Sequence, residues 1–595
     1  MQDRQCFRAP WAILTWAWIA LAPLAAQQFT SEFIPMPDGI RLAVDVHLPQ
    51  EAKPGDKFPA ILELTRYWRS AIDPKTGGVV QALSPMDRGF LKRGYAIVKV
   101  DVRGSGASFG YRLEEYGPSE VRDGYAIVDW VAQQAWCDGN VGAYGVSYSG
   151  TTAELLAASR HPALKAVIPG WSDFDVYASP CRPYGLVPEA FLNDWSTMVG
   201  LLDANATEKI GTSVKPVDPA LLSEAVADHR RNPEVARMEA NMEFRDVGFE
   251  GARPLGECTS LFWKADIEAS EVPMLVLASW LDAGTADGAL LRFQNYRNRQ
   301  FLVILASSHG GQHHASPYAV GDTAQPPVPS AQAQFDLRLA FFDHYLKGQA
   351  NGVPEWPAIR YFNMGEERML ETDVWPPAGT TLETRYLAAG RQLVSDAPST
   401  DQGSERYQVA FDVHTGRFNR WTTQMGRPIL SQDQREAMDA RMLCFDTPPL
   451  SQPLQLTGSV EVELSLSTSA TDGYVLCYLE DVAPDGRSRY LTEGGLRFLH
   501  RKPNASPLSV GDPQYHSFAQ SDALPVTPGE VMSVGFRLWP VSVRLEDGHR
   551  LRLAIAGADQ RVFGRIPATG DVQFEVFCNA SHPSHIKLPV VATPK

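Results

Sequence analysis

The chain has 595 residues, 44% apolar and 21% charged, a globular balance that excludes a disordered, collagen-like or polytopic membrane chain. At roughly 150 residues per domain the length holds two to four domains. Acidic residues (69) outnumber basic ones (54), for a net charge of −15. Such a surface repels phosphate backbones and excludes nucleic acid as a partner.

Arg4 and Arg8 precede Trp11–Ala26, an uncharged run of 16 residues ending in Pro23-Leu24-Ala25-Ala26. A basic start, an apolar run and small residues at its end describe a secretory signal peptide over 1–26. The run is shorter than the ~20 residues of a spanning helix. Cleavage near Ala26 and a secreted or periplasmic protein are expected, without stable membrane insertion; a retained anchor is the alternative. Cys6 would leave with the signal, while Cys137, Cys181, Cys258, Cys444, Cys477 and Cys578 remain. These six allow 15 pairings, and buried free thiols are an equal alternative.

From residue 27 to 172 short apolar runs alternate with helical stretches. Ala43–Leu48, Ala60–Leu64, Ala96–Val100, Val141–Tyr144 and Ala166–Ile168 read as strands. Glu120–Gln134 and Tyr148–Ser159 read as helices, the first from apolar residues at Val121, Tyr125, Val128 and Val131. Strand–helix alternation predicts a parallel sheet covered on both faces, the first part of an α/β core. Residues 173–265 break the rhythm with scattered aromatics and a helical stretch at Pro219–Ala227, and are read as a helical cap. The core resumes over 266–352 with strands at Met274–Ala278 and Phe301–Ala306 and a helix at Gln334–Leu346. Over 353–595, runs such as Ser459–Ser467, Gly473–Leu479, Ser533–Leu538 and Leu551–Ala556 alternate with turns, predicting an all-β sandwich or jelly roll.

Gly145-Val146-Ser147-Tyr148-Ser149-Gly150 falls between a predicted strand and helix, the context of a nucleophile elbow. Ser149 stands where G-x-S-x-G has its second glycine. A serine in this position is otherwise more often an N-cap. Asp282 and His309 each follow a buried strand run, where open α/β sheets place their sites, and the order Ser147, Asp282, His309 is that of α/β-hydrolases. Asp287 competes with Asp282, and His313 and His314 with His309. A metal site at the three histidines lacks a carboxylate at ligand spacing.

At these residues the sequence resembles the cocaine-esterase/X-Pro dipeptidyl-peptidase-like (S15-type) serine hydrolases, which include glutaryl-cephalosporin acylases and α-amino-acid ester hydrolases. The resemblance is carried by Met36–Leu42, Asp101–Ser108, Gly145–Gly150, Tyr490–Gly494, Gly548–Leu553, Ser584 and Leu588–Val590. It implies an α/β-hydrolase core with a cap and a C-terminal β-sandwich. It also implies Ser147 as nucleophile, Asp282 as the orienting acid, and His309 as base. Tyr148 N–H and the Tyr67 hydroxyl would form the oxyanion hole, with Arg66 where the family carries proline. Neither cofactor nor metal is implied. Trp68, Trp171 and Phe174 are candidate pocket residues, although core packing would also account for Trp171.

The expected activity is cleavage of a small ester or amide through an acyl-serine. X-Pro dipeptidyl-peptidase and α-amino-acid ester hydrolase or β-lactam acylase activities are alternatives, and these need an anchor for an ammonium, for which Asp173, Asp175 and Asp194 are candidates. A silent binding protein using the β-module is the alternative from another class. Oligomeric state is open between monomer and homo-oligomer.

Overall fold

The computed structural model describes residues 29–430, 435–510 and 513–592, so the expected signal segment lies outside the described residues. The first half of the chain contains, in order, β1 (Phe29–Pro35), β2 (Arg41–His47), β3 (Phe58–Thr65), β4 (Ala71–Ile72), β5 (Val79–Gln81), β6 (Ala96–Asp101), β7 (Cys137–Val146) and β8 (Leu164–Gly170). After the short β9 (Ser213–Val214) come β10 (Met274–Ser279), β11 (Gln300–Leu305), β12 (Ile359–Asn363) and β13 (Arg368–Thr372). Ten of these form one sheet in the order β1-β2-β6-β3-β7-β8-β10-β11-β12-β13. From β6 to β12 every neighbouring pair is parallel.

Period-two geometry divides each central strand between two cores. Leu62, Val98 and Val276 face one cluster, with Val121, Ile127 and Leu155 of helices α2 (Pro118–Gln133) and α3 (Tyr148–Ala158). Ile61, Ile97 and Leu275 face the other, with Phe90 of α1 (Pro85–Lys92) and, from the helix Ala331–Lys347, Phe341 and Phe342. Burial on both faces explains why these strands read as continuous apolar runs.

The insertion after β8 carries α4 (Glu189–Asp203), α5 (Thr207–Ile210), α6 (Leu222–His229) and α7 (Val235–Asn241). The helix expected from Pro219 begins only at Leu222, because Asp218 turns the chain: its side chain accepts from Ala220 N at 2.8 Å and its carbonyl from Leu221 N at 3.1 Å. β9 pairs with β4, which binds the insertion to the segment following β3.

A division at 352/353 falls ahead of two strands of the α/β sheet. β12 pairs parallel with β11, and β13 closes the edge antiparallel to β12. Beyond Thr372 a distinct β-rich domain links thirteen strands, from Thr380–Ala388 to His585–Val591. It docks through Arg537, whose guanidinium pairs with Asp287, and Arg420, which donates to the Trp280 carbonyl. The six cysteines from Cys137 to Cys578 are free thiols. No helix among the described residues is long and apolar enough to cross a membrane.

Candidate active site

The loops leaving β3, β7, β10 and β11 meet at the carboxyl edge of the sheet, where parallel strands leave a crevice. Between β7 and α3 the chain turns at Ser147, which takes φ 63° and ψ −127°, a backbone position that costs a non-glycine residue on the order of 1–3 kcal/mol. Ser147 N–H donates to Gly170 O at 2.9 Å and its carbonyl accepts from Thr151 N at 3.0 Å, so both flanks pin the turn. A Cβ at Gly145 would lie 2.3 Å from the Ser149 backbone, and one at Gly150 2.6 Å from Gly170 O. The close approach of helix to strand therefore falls on Gly150, which leaves room for the buried Ser149 side chain one position earlier.

Asp282 is buried beyond β10 and its Oδ2 lies 2.7 Å from His309 Nδ1. Two of the competing residues are otherwise engaged: Asp287 pairs with Arg537, and His314 Nε2 lies 3.1 Å from Glu367. His309 Nε2 is buried without a partner among the described residues, and His309 and Ser147 border one cleft of about 1630 Å³. The second carboxylate oxygen of Asp282 has a partner that sequence reasoning missed. Thr423 Oγ1, from the far side of the chain, lies 2.6 Å from Asp282 Oδ1.

The Tyr67 hydroxyl accepts from Trp195 Nε1 at 3.0 Å, and Tyr67 borders the same cleft as Ser147. Burial raises its pKa, so the phenol keeps its proton. Arg66 pairs with Glu115 and, at 3.2 Å, with Asp203. Arg112 shares both carboxylates, so a buried ionic network fixes the segment that carries Tyr67. Tyr148 begins α3, and a first-turn N–H has no partner within its helix. Its side chain turns inward, donating to Glu120 at 2.6 Å and stacking on Tyr116.

Trp68 lines the cleft, whereas Trp171 and Phe174 do not. The chain leaves β8 with Trp171 N–H bonded to Leu277 O, and the indole turns to the opposite face of the sheet beside Gly311 and Arg338. Phe174 packs edge-on against Tyr296 in the core. Trp195, Met425, Asp173 and Glu239 take the wall positions instead. Asp173 Oδ1 and Glu239 Oε2 are buried there without partners among the described residues. Burial pushes the Glu239 carboxyl up to about 7. Burial and the nearby Asp282 push Asp173 well above the carboxylate range.

A parallel sheet with a strained serine at a strand-to-helix turn, and an Asp–His pair on later strand ends, defines an α/β-hydrolase core. Residues 38–311 match the X-Pro dipeptidyl-peptidase (S15 family) profile, and residues 351–587 match the X-Pro dipeptidyl-peptidase C-terminal non-catalytic domain. A Mycobacterium bovis protein assigned to the serine esterases is 37% identical over 95% of both chains. Cocaine esterase of Rhodococcus is 27% identical over 94% of this chain and 97% of its own. A CocE/NonD family hydrolase of Staphylococcus aureus superimposes with a TM-score of 0.72 at 18% identity, over 94% of this chain and 93% of its own. The chain belongs to the S15, or CocE/NonD, family of serine hydrolases.

Proposed function

We propose that this enzyme cleaves a small ester or amide through an acyl-serine, with Ser147 as nucleophile, His309 as base and Asp282 as the acid that orients it. The observation that carries the reading is the 2.7 Å contact of His309 Nδ1 with buried Asp282, which leaves Nε2 without a partner among the described residues in a cleft that Ser147 also borders. As Ser147 Oγ attacks the carbonyl carbon, its proton passes to Nε2, and Asp282 stabilises the imidazolium. The carbonyl oxygen gains the negative charge and is met by Tyr148 N–H and the Tyr67 hydroxyl, each such donor contributing about 10²–10³ in turnover. Collapse of the adduct expels the alcohol or amine, which takes the proton from His309. Water, deprotonated by the same imidazole, then releases the acid. Ser147→Ala is expected to abolish p-nitrophenyl ester turnover and fluorophosphonate labelling; labelling that persists in that variant overturns the assignment.

A second reading is supported by the orphaned oxygens of Asp173 and Glu239 on the cleft wall. One oxygen of each carboxyl is buried without a donor, and a cation brought beside them would favour their charged forms. A substrate carrying an ammonium a few ångströms from its carbonyl would supply that cation, as amino-acid esters and amino-terminal peptides do.

A further inference from the structure

The β-rich domain reaches the reacting groups at one point. Residues Thr422–Met425 form a turn that packs against the His309–Gly311 turn, and Gln424 and Met425 border the cleft. The segment is anchored from both sides. Ala283 N–H donates to Arg420 O at 3.0 Å, and the Arg420 guanidinium donates to Trp280 O, so the residues flanking Asp282 are held by the second domain. Next along the chain, Trp421 Nε1 donates to the buried Glu493 at 2.8 Å; Glu493 also accepts from Tyr490 at 2.8 Å and, from the cap, from Tyr184 at 3.4 Å. This polar junction sets Thr423 Oγ1 at 2.6 Å from Asp282 Oδ1.

Resting on the proposed roles of Ser147, Asp282 and His309, we propose that Thr423 is a positioning residue for the catalytic acid, contributed across the domain boundary. Oδ2 of Asp282 is committed to His309 Nδ1, and in a buried site the carboxylate needs a donor on Oδ1 to stay both ionised and in plane with the imidazole. Thr423 Oγ1 also lies 2.6 Å from the Arg420 carbonyl, and its single proton can serve only one acceptor. The charged carboxylate is the stronger acceptor and takes it. Beside the acid stand Asp173, whose carboxyl burial and the nearness of Asp282 hold in its neutral form, and Arg420, whose guanidinium donates to Trp280 O. Neither donates to Oδ1 among the described residues.

Loss of the hydroxyl leaves Oδ1 without a donor, makes the carboxylate more basic and strengthens its hold on the protonated imidazole. The acid limb of the kcat/KM–pH profile, which reports His309, then moves to higher pH, while kcat falls through misorientation. The test is the full chain with Thr423→Val, Thr423→Ala and Thr423→Ser, assayed with p-nitrophenyl acetate from pH 5 to 9 beside Ser147→Ala, with thermal midpoints as the control on folding. Val and Ala are expected to lower kcat about ten- to a hundredfold, as for one hydrogen bond to a charged group, and to raise the acid limb; Ser restores both. Unchanged kcat and limb in Val or Ala overturns the proposal, and means that the hydroxyl serves Arg420 O instead. Equal losses in Val, Ala and Ser without a moved limb also overturn it, as a packing effect. Full activity in Ser147→Ala would instead strike the underlying assignment, so the two failures are told apart. Should Val disturb the turn, the smaller Ala carries the same readout.

Discussion

Ser147 and Glu239 show how single side chains are made to depart from their ordinary behaviour. The serine occupies a left-handed backbone position that only glycine takes cheaply, held there by Gly170 and Thr151. Glu239, in α7, is buried with an unpartnered oxygen, and its carboxyl titrates near 7 rather than near 4.5. The sign follows directly: below pH 7 the group is neutral and offers a cation nothing, and above it the group is an anion. An ω-amino-acid ester keeps its alkylammonium throughout this range, so its KM is expected to fall as pH rises from 6 to 8. The KM of the matching neutral ester should stay flat, and Glu239→Gln should flatten the profile of the ammonium ester. Parallel profiles for the two esters in the native chain would remove the ammonium reading.

Folding linkage gives the same residue a stability signature. A carboxyl raised in the folded state favours folding at low pH, and that contribution is lost as pH climbs through 7. Glu239→Gln is therefore expected to raise Tm at pH 8 and to change it little at pH 5. Equal shifts at both pH values would contradict burial as the cause.

At the scale of elements, the site depends on how closely α3 approaches β8. Gly150 faces Gly170 O with no room for a methyl group, so Gly150→Ala must push the helix outward and carry the Ser147 turn with it. Overpacking of this kind costs about 1–3 kcal/mol. The variant is expected to lose stability in urea unfolding and to lose fluorophosphonate reactivity by a larger factor than its stability loss explains. An unaffected labelling rate would show that the turn is positioned from elsewhere.

These elements were largely legible in the sequence, because the strands from β6 to β11 are buried on both faces and so write unbroken apolar runs. Ser147 was legible for a related reason, since glycines at 145 and 150 flank it where backbones meet. Trp171 and Phe174 were misplaced because nearness in the chain to a strand end does not say which face of the sheet a ring takes. Strands β12 and β13 follow the expected division at 352/353 yet extend the α/β sheet, a pairing of β12 with the distant β11 that no local pattern marks.

Across the whole molecule, the α/β core, the cap and the β-rich domain each contribute to one cleft. Ser147 and His309 come from the core, Trp195 and Glu239 from the cap, and Gln424 and Met425 from the β-rich domain. No local pattern marks Thr423, which stands 141 residues from Asp282 in the chain. The Arg537–Asp287 ion pair and the hydrogen bond from Arg420 to Trp280 O, both between the halves, flank the loop that holds Asp282. Asp282 is thus contacted from both halves of the chain.

With Ser147 as the proposed nucleophile, turnover passes through an acyl group on its Oγ. Rapid mixing with p-nitrophenyl acetate, acid quench and peptide mass mapping tests it most directly. The account predicts a burst of p-nitrophenol close to one equivalent of enzyme and an added acetyl mass on the peptide containing Ser147. Turnover without a burst does not decide the matter when acylation is slow, so the adduct is also sought with a fluorophosphonate, where deacylation is blocked. An adduct on any other residue, or none in enzyme that the reagent has inactivated, would contradict it.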